Sequence, residues 1–154
     1  MCSHKIPTLF VSNHVSYIDI TVLGSLIRGS FIAKAEVGDW PLFGLLAKLQ
    51  RTVFIERRAT KAAAQRVDLT RRLEAGDDLI LFPEGTSDDG NTVLPFKSAL
   101  FAVAETTVNG APLTVHPVSI AYVALDGTPL GRAFRPHYAW YGDMSLLPHL
   151  WEML

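Results

Sequence analysis

Short apolar runs alternate with amphipathic or polar stretches along the whole chain, and the repeat changes between period two and period 3.6. Thr8 to Ser12 is an apolar run of strand length. Ser16 to Arg28 reads as a helix, with capping-box spacing between Ser16 and Asp19 and a stop at Gly29. Phe31 to Ala35 is a second strand. Pro41, tolerated in a first helical turn, opens a helix through Lys48, and Thr52 to Ile55 is a third strand. Ala59 to Ala75 is the clearest helix, Ala-rich with a basic outer face and ended by Gly76. Asp78 to Phe82 is a fourth strand, and Pro83 to Thr92 a loop of Gly, Asp and Asn. Phe96 to Glu105 predicts a helix and Leu113 to Val123 a long strand. A Gly/Pro-rich stretch from Asp126 to Pro136 leads through an aromatic segment to a helical end at Ser145 to Leu154. Strands alternating with helices predict a single-domain α/β sandwich over residues 1–154, built around a mostly parallel or mixed sheet.

Composition narrows the class. At 154 residues, with 49% apolar and 19% charged positions, the chain can bury a core of one domain. A formal net charge of -1 argues against a nucleic-acid partner. Cys2 is the one cysteine, so neither an internal disulfide nor a paired-cysteine metal site can form, and a reducing compartment is the expectation. The longest run free of Asp, Glu, Lys and Arg, Thr106 to Leu125, contains Asn109, Gly110, Pro112 and Pro117. It reads as a turn followed by a strand, not as a membrane-spanning helix.

Four blocks carry candidate chemistry. In Asn13-His14-Val15-Ser16-Tyr17-Ile18-Asp19, His14 sits between a strand and a helix, where sites are commonly built. An imidazole with an ordinary pKa of about 6.5 can act as a base near neutral pH. A carboxylate on its other nitrogen would hold the tautomer and stabilise the imidazolium. The spacing alone is weak, because five His and nine Asp give about 0.3 chance matches. Asp19 is equally readable as the N3 partner of Ser16. The second block is Val53-Phe54-Ile55-Glu56-Arg57-Arg58. The Arg57 guanidinium there can fork onto a phosphate or carboxylate, or simply pair with Glu56.

The third block, Leu81-Phe82-Pro83-Glu84-Gly85-Thr86-Ser87, ends a buried strand in a tight turn. Its amides and the Thr86 hydroxyl could form an anion-binding concavity. At about 5 Å and an effective dielectric of 20, Glu84 would repel a phosphate by roughly 3 kcal/mol. The expectation is therefore that Glu84 pairs with Arg57 or accepts a substrate hydroxyl. The fourth block, Val115-His116-Pro117-Val118-Ser119-Ile120, reads as a core strand or as the lining of an acyl channel, with His116 structural.

In this order the blocks closely resemble the 1-acylglycerol-3-phosphate acyltransferase family. That family is marked by Asn-His-x4-Asp, Phe-Ile-x-Arg, Phe-Pro-Glu-Gly-Thr and Val-x-Pro-Val motifs, and the resemblance runs from about Thr8 to Tyr122. It implies transfer of a fatty acyl group from acyl-CoA or acyl-carrier protein to the free hydroxyl of a lysolipid, 1-acylglycerol-3-phosphate in the first place. His14 would be the general base and Asp19 would orient it. Arg57, Glu84, Gly85 and Thr86 would bind the acceptor head group, and Lys34 matches a family lysine near the phosphate or oxyanion. No metal, cofactor or covalent intermediate is implied. The expected setting is the cytoplasmic face of a membrane, reached peripherally or through anchoring segments outside this chain.

Three departures from the family pattern stand out. Arg51 occupies a position where glycine is common. Family members usually carry N-terminal membrane-gripping helices, whereas here the first motif comes almost at once, and the C-terminus is short, so a truncated sequence or docking by surface is the expectation. Trp40, Leu42, Phe43, Leu45 and Leu46 offer an apolar docking surface, although a core helix is the preferred reading. Asp88-Asp89-Gly90-Asn91 and the segment Leu94 to Leu100 look like the branch that acylates lyso-ornithine lipids. An acidic loop there suits a head group bearing an ammonium. The competing expectations are a hydrolase using the same His/Asp pair, which lacks a Gly-x-Ser-x-Gly elbow, and a truncated non-catalytic membrane-binding domain.

Overall fold

The computed structural model describes residues 6–39, 43–55 and 59–153. Nine strands are present among them: β1 (Thr8–Ser12), β2 (Gly29–Lys34), β3 (Val53–Ile55), β4 (Asp78–Leu81), β5 (Thr107–Val108), β6 (Ala111–Pro112), β7 (Thr114–Val118), β8 (Ala124–Leu125) and β9 (Thr128–Pro129). Five α-helices accompany them: α1 (Ile18–Leu26), α2 (Phe43–Leu49), α3 (Ala59–Glu74), α4 (Ser98–Phe101) and α5 (Leu146–Glu152). The central sheet has the order β3-β2-β4-β1-β7, and all four of its pairings are parallel. The remaining strands form two small antiparallel hairpins, turned at Asn109-Gly110 and Asp126-Gly127, where all four residues have the positive φ such turns require.

Strand alternation sorts the apolar side chains onto two faces. Leu9, Val11, Leu79 and Leu81 point to one face and pack with Leu69 and Leu73 of α3 and with Val103. Phe10 and Ile80 point to the other and meet Leu23 of α1, Phe31 and Phe82. The crossover leaving β1 runs through α1 toward β2, while the path leaving β4 runs the other way to β7. Both connections start at the carboxyl ends of the adjacent strands β1 and β4, the edge at which open parallel sheets bind ligands.

Several predicted boundaries shift, each for a visible reason. The helix expected over Ser16 to Arg28 is shortened to α1, since Ile27 is already extended and Gly29 pairs with Asp78 as the first residue of β2. The long strand expected to Val123 ends at Val118. Beyond it, the Asn13 side-chain amide takes both backbone groups of Ile120, at 2.9 and 2.7 Å, in place of a continued ladder. The helix expected from Phe96 starts at Ser98 because the Lys97 amide is held by the Pro83 carbonyl at 2.9 Å, and it tightens into a 3-10 turn over Ala102–Glu105. Pro41 lies outside the described residues. α3 ends as predicted at Gly76, whose φ of 86° allows the paired C-terminal bonds Gly76 N to Leu73 O and Asp77 N to Arg72 O.

Arg51 explains its own oddity. Its φ is 57°, the left-handed conformation that glycine adopts without cost. Its guanidinium meets Asp77 at 3.1 Å, and its carbonyl accepts from Arg72 at 2.7 Å. On α2, Leu45 and Leu49 form an exposed face, and the side chains of Phe43 and Leu46, on which the core reading of this helix rests, lie outside what the structure describes. Trp40 and Leu42 lie outside the described residues.

Candidate active site

His14 stands two residues beyond β1, at the carboxyl ends of the adjacent strands β1 and β4. Its backbone is held from the β4 side. The His14 amide donates to Glu84 Oε1 at 2.7 Å, and its carbonyl accepts the Asp88 amide at 3.2 Å. The imidazole lies on the Phe82 ring, with centroids 4.1 Å apart and planes 17° from parallel. Nδ1 faces Asp19 Oδ2 at 2.9 Å.

Asp19 is fully buried in the first turn of α1. Besides His14, its Oδ2 accepts the amides of Val15 at 2.7 Å and Ser16 at 3.0 Å. Tyr122 donates its hydroxyl to Oδ1 at 2.7 Å. The two readings of Asp19 in the sequence, helix-start partner and histidine orienter, are therefore carried by one carboxylate. An acceptor-only oxygen opposite Nδ1 assigns the ring proton to Nδ1 and leaves Nε2 as the acceptor nitrogen of a partly exposed side chain. Such a nitrogen can take a proton from a hydroxyl placed against it.

Glu84 departs from its expected role. It is 1% exposed, and its two oxygens accept backbone amides from His14 at 2.7 Å and Leu94 at 2.6 Å. The carboxylate thus ties the β1 exit to a loop that Pro83 and Lys97 close at its base. Gly85 has a φ of 66°, and its amide bonds back to the Phe82 carbonyl at 3.0 Å, so it serves the tight turn. Thr86 is exposed beside it. Lys34 ends β2 opposite Ile55, on the same carboxyl edge of the sheet. It is two strands from β1, on the order of 10 Å at ordinary strand spacing. Arg57 follows Ile55 by two positions and lies outside the described residues. Among the described residues, no group of three or more His, Cys, Asp or Glu side chains could hold a metal ion.

Three contributors were not singled out in the sequence. Phe82 and Asn13 entered only as motif letters, and Tyr122 only within the strand expected from Leu113 to Val123. Burial, followed by the hydrogen bond to Asp19, pushes the Tyr122 hydroxyl well above the usual phenol range and keeps it a donor. No spacing rule links Tyr122 to Asp19, because they meet only when the chain past β7 folds over the start of α1.

A parallel α/β sheet with an Asp-held histidine at its carboxyl edge can serve group transfer or hydrolysis. Residues 2–121 match the family model described as Acyltransferase, and the chain belongs to that family. It is 52% identical over 148 residues to the lyso-ornithine lipid O-acyltransferase of Brucella abortus, covering 94% of this chain and 55% of the relative. It is 33% identical over 152 residues to a 1-acyl-sn-glycerol-3-phosphate acyltransferase of Neisseria gonorrhoeae, covering 98% of this chain and 56% of that one. The crystal structure of the 1-acyl-sn-glycerophosphate acyltransferase from Thermotoga maritima superposes with a TM-score of 0.51 at 25% identity, over 77% of this chain and 56% of the other. The chain therefore spans about half the length of the relatives it matches.

Proposed function

We propose that this chain is the catalytic part of a lysolipid O-acyltransferase whose acceptor is a lyso-ornithine lipid. The His14–Asp19 pair carries the reaction. His14 Nε2 takes the proton as the acceptor oxygen attacks the thioester carbonyl of acyl-CoA or acyl-carrier protein. The resulting tetrahedral oxyanion collapses, the C–S bond breaks, and the imidazolium returns the proton to the thiolate, giving an ester and a free thiol. A positioned base of this kind contributes about 10²–10⁴-fold, and bringing both lipids to one site lowers the barrier further.

The acceptor assignment moves from the first expectation to its alternative. Identity to the lyso-ornithine relative is 52%, against 33% for the glycerol-phosphate one. Asp88, whose backbone amide bonds the His14 carbonyl, and Asp89, whose carboxylate is held by Asn91, make the adjoining loop acidic, which suits an ammonium better than a phosphate. In this reading Arg57, Gly85 and Thr86 border the acceptor's anionic group and Lys34 faces the oxyanion. Glu84 acts through the backbone it holds. No cofactor or metal is assigned. The setting is the cytoplasmic face of a membrane, engaged peripherally or through segments outside this chain, and no helix among the described residues is long and apolar enough to cross one.

The test offers labelled acyl-CoA and acyl-carrier protein with lyso-ornithine lipid and 1-acylglycerol-3-phosphate in parallel. Faster acylation of lyso-ornithine lipid is expected. Preference for the glycerol phosphate would restore the other acceptor. Thioester hydrolysis indifferent to either lipid would favour a hydrolase, and liposome binding without turnover would favour a non-catalytic domain.

A further inference from the structure

We infer that Tyr122 is a positioning residue for the proton transfer, the outer member of a Tyr122–Asp19–His14 chain. The inference rests on the proposed acyl transfer for its kinetic consequences, though not for its structural ones.

Asp19 Oδ2 is held by three donors from its own loop, His14, Val15 and Ser16. Those bonds leave Oδ1 to be satisfied by something outside α1. Tyr122 supplies that donor from 103 positions away in sequence, at 2.7 Å. The carboxylate is fully buried, so an unpaired Oδ1 would carry a desolvation cost, and its plane would be free to turn away from Nδ1. Tyr122 is itself fixed twice. Its ring stacks on Tyr138, with centroids 4.9 Å apart, and its strand exit is clamped by Asn13 at Ile120, two residues earlier. The segment past β7 therefore sets the orientation of the dyad.

The hydroxyl also tempers the electrostatics of the pair. A hydrogen bond to Oδ1 draws negative charge away from Oδ2, and removing it leaves a more basic carboxylate opposite the ring. The other groups facing His14 are Glu84, which accepts its amide, and Asp88, which donates a backbone amide to its carbonyl. Tyr17 and Tyr138 lie on the far side, around Tyr122. None of these gains or loses a partner when the Tyr122 oxygen is removed.

The experiment compares the protein with Tyr122→Phe by steady-state kinetics across pH and by NMR titration of the His14 ring. Expected are a kcat lower by about tenfold, an acceptor KM within about twofold, and a rise of roughly half a pH unit in both the acid limb of the rate profile and the ring titration. A tyrosine that only fills space would move melting temperature and leave the ring titration alone. Unchanged kcat with an unchanged titration overturns the inference. Should Tyr122→Phe fail to fold, Tyr138→Leu keeps the hydroxyl but removes its stacking partner; a smaller upward shift supports the inference and no shift overturns it. If neither acceptor is acylated by the parent protein, the proposed function fails, and the ring titration still decides the role of Tyr122.

Discussion

Glu84→Gln separates the backbone brace seen in the structure from the substrate contact expected of Glu84. The carboxylate accepts amides from His14 and Leu94 through different oxygens and is 1% exposed. Glutamine has nearly the same shape but only one acceptor oxygen. Either orientation keeps one amide bond and turns an NH₂ donor toward the other amide. The loss is one charge-assisted hydrogen bond, worth about 1.5–3 kcal/mol, together with an unpaired donor costing about 1–3 kcal/mol. Partial relaxation of the loop brings the net to about 3 kcal/mol. At roughly 2–4 °C per kcal/mol for a chain of this size, the melting temperature should fall by about 6–12 °C. Differential scanning fluorimetry with circular dichroism reads this directly. A variant melting within about 1 °C of the parent while its acceptor KM rises steeply would refute the brace and return Glu84 to the substrate.

Other consequences follow from the same geometry. Gly90 has a φ of 77°, and an added Cβ would sit 3.0 Å from Val15 Cγ1, so Gly90→Ala should destabilise by about 1–3 kcal/mol in urea titration and loosen the loop beside His14. Arg51→Gly relieves a left-handed φ worth about 1 kcal/mol and gives up only an exposed ion pair with Asp77, so its urea midpoint should stay level or rise. Burial holds the Tyr122 and Tyr17 hydroxyls above their unfolded pKa of about 10. Their contribution to stability is complete below that pH and declines as pH climbs above it. Urea midpoints should therefore fall from pH 9 to 11, and less steeply in Tyr122→Phe.

Much of the fold was legible because strand and helix periods are local properties. The first four strands of the chain lie within a residue or two of their predicted places, and Gly76 stops α3 as a left-handed cap should. What local patterns missed came from contacts distant in sequence. Asn13 ends β7 early by replacing the ladder at Ile120, 107 positions away, and Lys97 delays α4 by binding Pro83. His14 and Asp19 were visible as a spacing, and the structure joins them at 2.9 Å. Glu84 was legible as important but not as a brace, since nothing local shows that both its oxygens meet amides.

The central claim is that His14 Nε2 removes the acceptor proton. The direct measurement is single-turnover acyl transfer by His14→Ala against the parent protein, with lyso-ornithine lipid as acceptor and circular dichroism to confirm folding. The account predicts a fall of about 10²-fold or more with the melting curve preserved. A folded variant that transfers the acyl group within a few-fold of the parent rate would contradict it.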